Sequence, residues 1–208
     1  MKVDYKEEGL GDLSNESFIY KYLEYTKGTE SPTRFHTWSG LSLVASLLGR
    51  NVNTYKGTYT LFPNMYIVIV AESARCRKSS ATDIAMDDML RDSKLCRIYR
   101  QKMTAEFICT ELASTETINN DIVIYAPELA TFLGVSAFQS GLVPLLTSWY
   151  TCPRHDDYKT KGAGKFEMSN IAINILGATT LDWMSNSMPG ETVEGGFTGR
   201  VIFIVAEE

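Results

Sequence analysis

The chain has 208 residues, of which 44% are hydrophobic and 22% charged, as is typical of a globular protein with one sizeable core. Its formal net charge of −5 excludes a surface that is basic throughout, so any nucleic-acid contact has to come from a local patch. No apolar run reaches the roughly 18–20 residues of a membrane span, and the polar N-terminus lacks a signal-peptide core. The four cysteines have no CxxC spacing, so we expect a cytoplasmic protein with reduced thiols.

Residues 1–50 predict an N-terminal helical segment that packs on a core formed by residues 51–208. After a polar lead-in, one helix is expected from Ser14 or Asn15 to Gly28, where cap residues and a glycine mark its ends. A second helix is expected in "FHTWSGLSLVASLLGR", whose apolar residues recur at helical spacing. Two short strands around Lys56-Gly57 follow, and Pro63-Asn64 ends them.

The rest of the chain alternates buried strands with helices. The predicted strands are "MYIVIVA", "CRIYRQKM", "IVIY", "NIAINILGATT" and "VIFIVA", and the helices between them include "KSSATDIAMDDMLRDSKL", "TAEFICTELAS" and "SGLVPLLTSWY". This alternation predicts an α/β fold with a mostly parallel central sheet flanked by helices. Ligands of such a sheet bind at the carboxyl ends of its strands.

The segment "VAESARCRKSSA" has the position of a phosphate-binding loop, between a buried strand and a helix. In the pattern GxxxxGK[ST], aligning Lys78-Ser79 places Glu72 and Arg77 at the two glycine positions. The strand, the turn, the lysine and the hydroxyl are kept, and Arg75 adds a positive charge. Backbone N–H groups and a helix N-terminus would surround the phosphates, and a basic, solvated turn is the alternative. The candidate nucleotide-binding residues are Ser73, Ala74, Arg75, Cys76, Arg77, Lys78, Ser79 and Ser80.

Three further positions occur in the order that P-loop ATPases of the RecA and AAA+ kind use. Glu128 follows a buried strand and would polarise water, with Pro127 where a magnesium-binding aspartate usually stands. Thr179 ends the strand in "NILGATT" and would sense a γ-phosphate. Arg200 precedes the last strand and would reach a neighbouring subunit's nucleotide. The alternatives are a carboxylate that stabilises a helix terminus, an ordinary strand-end turn and a surface arginine.

Together these segments resemble a family of P-loop proteins encoded by phages, plasmids and integrated elements, usually near replication genes. The resemblance covers about residues 35–208. The matching segments are "FHTWSGLSLVASLLGR", "LFPNMYIVIVAESARCRKSSA", "MTAEFICTEL", "APELATFLG", "YKTKGAGKFEMSNIAINILGATTLDWM" and "GGFTGRVIFI". In that family an arginine commonly precedes the Lys-Ser pair, as Arg77 does here, whereas a glycine is usual where this chain has Ala71-Glu72-Ser73-Ala74.

The resemblance implies a P-loop NTPase of RecA/AAA+ type that binds ATP and Mg²⁺ and acts as a helicase-like motor on DNA during mobile-element or phage replication. Lys78 would hold the β- and γ-phosphates, and Ser79 would hold Mg²⁺. A homo-oligomer is expected, either a filament or a ring such as a hexamer. The competing interpretation is a non-catalytic scaffold or DNA-binding subunit that has lost turnover, which Glu72 and Pro127 favour.

A basic segment, "CPRHDDYKTKGAGKF", lies between the strand that precedes Glu128 and the strand that ends at Thr179. In superfamily 3 helicases, a hairpin at the equivalent place grips DNA in a central channel. The resemblance therefore implies contact with single-stranded DNA, and an exposed hairpin kept soluble by its charge is the alternative. The candidate DNA-binding residues are Arg154, Lys159, Lys161 and Lys165.

Overall fold

A five-stranded parallel sheet forms the centre of the molecule in the computed structural model, which describes residues 13–72, 76–100, 102–114, 120–134, 141–160, 162, 164–186 and 196–206. Its strands, numbered in chain order, are β3 (Tyr66–Val70), β4 (Arg97–Arg100), β5 (Asn120–Ala126), β8 (Ile171–Thr179) and β9 (Val201–Val205). Their order across the sheet is β4-β5-β8-β3-β9. The predicted α/β class is confirmed, and all four neighbouring strand pairs of this sheet are parallel.

The three central strands, β3, β5 and β8, are buried along their whole length. Successive side chains of a strand point to opposite faces of the sheet. In β3, Tyr66 and Val68 belong to the core on one face, and Ile67 and Ile69 belong to the core on the other. An uninterrupted apolar run such as "YIVIV" therefore folds as a strand that is buried on both faces.

Helices cover both faces of the sheet. The face that contains Ile67 is covered by α1 (Phe18–Thr26), α2 (Thr33–Leu48) and α3 (Lys78–Asp83). The opposite face is covered by α4 (Ala105–Ala113), α5 (Leu129–Phe132), α6 (Leu142–Trp149) and α7 (Leu181–Asn186). Short 3₁₀ turns occur at Gly49–Asn51 and Thr198–Arg200. None of the described helices is long and apolar enough to cross a membrane.

The helix predicted in "KSSATDIAMDDMLRDSKL" differs from the expectation. It begins at Lys78 as an α-helix, but it widens to a π-helix over Ile84–Leu90 and ends there. Two carboxylates of this region bond the neighbouring strands, since Asp83 accepts a hydrogen bond from the Tyr125 hydroxyl and Asp87 pairs with Arg100. Apolar periodicity alone does not distinguish the wider helix, which is rare and often found at functional sites.

Two antiparallel hairpins lie outside the central sheet. One is formed by β1 (Thr54–Lys56) and β2 (Tyr59–Leu61), as predicted. The other is formed by β6 (His155–Thr160) and β7 (Gly164–Ser169) in the segment expected to be a loop or a hairpin. Because β2 leads into the first residue of β3 and β7 leads into the first residue of β8, both hairpins join the amino end of the sheet.

Candidate functional site: a cleft at the carboxyl ends of the strands

A cleft of about 400 Å³ opens at the carboxyl ends of β3, β5 and β8. The strand registers explain why residues from three strands meet there, since Val70 pairs with Thr179 and Ala126 pairs with Gly177. The chain leaves β3 toward one face and β8 toward the other, which opens a crevice where parallel sheets bind ligands. The lining residues are Glu72, Arg77, Lys78, Ser79, Pro127, Glu128, Ala178, Thr179 and Thr180.

The loop after β3 enters α3 at Arg77, whose φ of 42° and ψ of 44° are left-handed. This conformation favours glycine and costs other residues about 1–2 kcal/mol. It occurs at one of the two positions where the phosphate-loop pattern has glycine. Two contacts from the loop between α1 and α2 support it: Ser31 Oγ donates to the Arg77 carbonyl at 2.7 Å, and Arg77 Nε donates to Glu30 Oε2 at 2.7 Å.

Lys78 is the first residue of α3, and its side chain turns back into the loop. Its Nζ donates to the Ala71 carbonyl at 2.6 Å and to the Glu72 carbonyl at 3.2 Å. Partial burial lowers the pKa of Lys78, while the carboxylate of Glu128 acts in the opposite direction. A positive charge is therefore held inside the cleft, within the electrostatic reach of the acid that follows β5.

Glu128 is exposed and immediately precedes α5, at the wall of the cleft opposite Lys78. The approach of α5 to the sheet depends on Gly177 in β8, because an added Cβ there would lie 3.1 Å from Leu129 Cδ1. Leu129 is buried over this glycine. Gly177 thus leaves room for the Leu129 side chain, which follows Glu128 in the sequence.

Two threonines end β8 at the floor of the cleft. Thr179 is buried and pairs with Val70, so the last strand position carries a hydroxyl directly beside the loop. Thr180 Oγ1 accepts the Trp183 N–H at 3.2 Å and caps α7. Both threonines line the cleft, and the Thr180 hydroxyl, although it accepts this N–H group, retains its own proton to donate.

A buried hydroxyl connects the helix that carries Lys78 to the strand that leads to Glu128. Tyr125 OH lies 2.8 Å from Thr82 Oγ1 and donates to Asp83 on the same helix. Burial and the Asp83 carboxylate raise the pKa of Tyr125, so its hydroxyl keeps its proton and remains a donor. Sequence reasoning missed this contact, because an apolar strand gives no signal for a hydrogen bond to a distant helix.

The structure brings Arg77, Lys78, Ser79, Glu128 and Thr179 of the predicted set to one cleft. The set also includes Cys76, which packs against the core, and Ser80, whose N–H donates to the Arg77 carbonyl; neither lines the cleft. Ser73, Ala74, Arg75 and Lys161 lie outside the described residues.

Arg200 lies far from this cleft. It precedes Val201, which pairs with Tyr66 at the amino end of β3, whereas Lys78 and Glu128 lie beyond the carboxyl ends. Its guanidinium is half-buried and donates to the Gly196 carbonyl at 2.7 Å. The glycine-rich turn before β9 thus supplies an acceptor for one N–H group of this guanidinium.

The predicted DNA-binding residues are also separated. On the β6–β7 hairpin, Lys159 pairs with Asp157 at 3.1 Å, and Lys165 pairs with Glu167. Arg154 instead lies at the foot of the hairpin, where its carbonyl accepts the Asn170 N–H. Both described lysines therefore form ion pairs with acids of their own hairpin.

Comparison with protein-family models finds no match to this chain, and a search of curated proteins finds no significant match either. The chemistry of the cleft is consequently inferred from its own residues. An ammonium, a helix N-terminus and three hydroxyls suit a phosphorylated ligand, and of the two carboxylates in the cleft Glu128 could activate a water.

Proposed function

We propose that the cleft binds ATP with Mg²⁺ and hydrolyses it, and that the protein is a P-loop NTPase of RecA/AAA+ type. In this proposal it acts as a helicase-like motor on DNA in the replication of a phage or mobile element. One observation carries it: Lys78, Ser79, Glu128 and Thr179, which follow or end three different strands, line the same cleft.

Phosphate binding is supported by the entry into α3. The helical segment continues through the π-helix to Leu90, so its N-terminal N–H groups and dipole favour an anion in front of Arg77 and Lys78. Lys78 Nζ now donates to two loop carbonyls, and a phosphate oxygen would replace these weaker acceptors. Arg77 provides the left-handed turn that glycine gives in the usual pattern.

Mg²⁺ fits the cleft only as an ion shared with the phosphates. Within the described part of the chain, no three His, Cys, Asp or Glu side chains form a group that could hold a metal. Ser79 is exposed at the cleft and would supply one oxygen, while Pro127 supplies none. Mg²⁺ commonly takes few protein ligands and completes its shell with phosphate oxygens and water.

Water activation is assigned to Glu128, and Thr179 would contact the terminal phosphate. Glu128 is exposed at the cleft, so water can reach its carboxylate, and it immediately precedes α5. A positioned base of this kind contributes about 10²–10⁴-fold to a rate. Arg200 lies at the opposite end of the sheet and would serve only a neighbouring subunit, so turnover would depend on a homo-oligomer.

The second candidate is a non-catalytic nucleotide-fold module. The observation in its favour is that Glu72 lines the cleft beside Lys78, where its carboxylate would oppose bound phosphate. The two functions differ in hydrolysis and agree in fold. Measuring ATP binding separately from ATP turnover therefore distinguishes them.

Replacing Lys78 tests the proposal directly. We expect Lys78→Ala to weaken Mg-ATP binding at least about 10-fold in calorimetric titration, because a charge-assisted contact contributes about 1.5–3 kcal/mol. Lys56→Ala, in the exposed β1–β2 turn, is the matched control and should bind like the wild type. Circular dichroism would verify that both variants fold. Equal affinity of Lys78→Ala and the wild type would exclude the phosphate site.

A further inference from the structure

A second cleft, of about 580 Å³, opens at the amino end of the sheet, between the β1–β2 hairpin and the foot of the β6–β7 hairpin. Its walls combine two arginines with three aromatic rings. These side chains belong to Arg50, Arg154, Tyr59, Phe62 and Tyr150. None of them lines the carboxyl-end cleft, so the two clefts are separate surfaces.

Arg50 is held in place by the fold, and among the described residues its side chain donates only through Nη1. Its Nη1 donates to the Cys152 carbonyl at 2.6 Å and to the Ile171 carbonyl at 2.9 Å, and its guanidinium stacks 4.3 Å from the centre of the Phe62 ring. A guanidinium has five N–H donors, so those on Nε and Nη2 remain for a ligand. The carboxylate of Asp121 is buried and accepts the Arg50 backbone N–H at 3.0 Å.

Arg154 brings a second positive charge to the same cleft. It is exposed, and in the part of the chain that the structure describes no carboxylate pairs with its guanidinium. Burial is the main cause that lowers the pKa of Arg50, Cys152 and Asp121 act in the opposite direction, and Arg154 makes the smallest contribution, which lowers it. Two like charges that face one cleft, with no acid among its lining residues, favour an anionic ligand.

The aromatic side chains of this cleft comprise one exposed ring, Tyr59, and two partly buried rings, Phe62 and Tyr150. Every residue of β1 and β2 is exposed, and Tyr59 is 58% exposed. Tyr150 is fixed by an edge-to-face contact with Tyr66, at 5.1 Å between ring centres. Exposed rings beside guanidiniums are the means by which single-stranded nucleic acids are bound without sequence preference, since bases stack on the rings and phosphates meet the charges.

We infer that the amino-end cleft binds a single-stranded polynucleotide, with Tyr59 stacking a base and Arg50 and Arg154 contacting phosphates. This inference rests on the proposed action on DNA, but not on ATP binding. The nucleic-acid contact expected at the tip of the β6–β7 hairpin is thereby assigned to the foot of that hairpin. At the tip, Lys159 and Lys165 pair with acids. A neutral or acidic peptide would leave either the guanidiniums or the aromatic rings unused.

Two pairs of matched variants test this surface. Tyr59 lines the cleft and Tyr55 does not, although both are exposed tyrosines of one hairpin. Arg154 has no acidic partner among the residues that the structure describes, whereas Lys159 pairs with Asp157. Binding of dye-labelled oligothymidylate and of oligouridylate, without nucleotide, would be followed by fluorescence anisotropy across a salt series. Tighter binding of oligothymidylate would identify the polymer as DNA, and tighter binding of oligouridylate would identify it as RNA.

We expect Tyr59→Ala and Arg154→Ala each to weaken binding about 10-fold, while Tyr55→Ala and Lys159→Ala bind like the wild type. Arg154→Ala should also reduce the slope of log affinity against log salt by about 1. Equal losses in both members of either pair would overturn the inference, as would wild-type protein that binds neither polymer at low salt. Lys78→Ala should keep full polynucleotide binding, so failure of the ATP proposal is distinguishable from failure of this one.

Discussion

The two ends of the parallel sheet present positive charge in different ways. At the carboxyl end, the Lys78 ammonium is half-buried, bonded to loop carbonyls and accompanied by hydroxyls and a carboxylate. At the amino end, Arg50 and Arg154 face a more open surface with the aromatic rings of Tyr59, Phe62 and Tyr150. A compact phosphate chain suits the first environment, and an extended polymer suits the second. Strand direction alone therefore separates two kinds of ligand chemistry on a small domain.

β8 is the element that joins these two environments. Its first residue, Ile171, accepts a hydrogen bond from Arg50, and its last residue, Thr179, lines the carboxyl-end cleft. Nine residues separate the ends by about 26 Å at about 3.3 Å per residue.

The largest expected effect is on the rate of ATP hydrolysis, which in our proposal depends on a contact between neighbouring subunits. Because Arg200 lies at the amino end, it can serve a nucleotide only from a neighbouring copy, and Arg200→Ala should lower the rate of ATP hydrolysis about 10³-fold while ATP binding persists. Steady-state hydrolysis with single-stranded DNA present would measure this. Mixed assemblies of Arg200→Ala and Lys78→Ala subunits should regain activity. No recovery in assemblies shown to mix would exclude a shared site.

Glu128→Gln should affect only the chemistry of the carboxyl-end cleft. It keeps the shape of the side chain and removes its charge, so hydrolysis should fall about 10²-fold or more while ATP and oligonucleotide binding remain. Glu167→Gln, on the β6–β7 hairpin, is the matched control at the amino end and should hydrolyse ATP normally. Wild-type protein that binds ATP but shows no magnesium-dependent hydrolysis with DNA would favour the non-catalytic module.

The two histidines should differ in their effect on the pH dependence of stability. Behind the carboxyl-end loop, His36 is 2% exposed and lies 2.6 Å from Thr29 Oγ1, and burial lowers its pKa to about 4 from 6.5. Between these values the unfolded chain binds a proton that the folded chain does not. The free energy of unfolding should therefore fall as pH decreases from 6.5 to 4, by up to about 1.4 kcal/mol per pH unit.

Urea unfolding at several pH values would measure this effect of His36. His36→Gln should lose that part of the pH dependence. His155→Gln, at the exposed start of the β6–β7 hairpin, should keep it. A wild-type profile that His36→Gln leaves unchanged would contradict a neutral, buried His36.

Much of the fold could be predicted from the sequence, because its signals are local. The run "YIVIV" predicts a strand buried on both faces, and Thr104 predicts the start of α4, where its Oγ1 accepts the Phe107 N–H. The change to a π-helix at Ile84 was not predictable, since it accompanies contacts from Asp83 and Asp87 to strands distant in sequence.

The candidate site, like the fold, could be predicted only where its signals are local in the sequence. Lys78, Glu128 and Thr179 each follow or end a buried strand, so their type and place give a signal in the sequence. Glu30 and Ser31 belong to a short polar linker, and nothing in its pattern indicates that it supports the loop after β3. The state of the Arg200 and Lys159 side chains depends on nearby acceptors that only folding brings together.

The smallest expected effect concerns the support of the left-handed turn at Arg77. Ser31→Ala removes a hydrogen bond to the Arg77 carbonyl and should weaken ATP binding about 5-fold, since such a bond contributes about 1 kcal/mol. Glycine adopts this conformation without help, so Ser31→Ala should have little effect when Arg77→Gly is already present. A double-mutant cycle of ATP affinities measures that coupling. Ser14→Ala, in the exposed lead to α1, is the control, and oligonucleotide binding should not change in any of these variants. Additive effects of Ser31→Ala and Arg77→Gly would mean that the α1–α2 loop supports ATP binding by some route other than the conformation of Arg77.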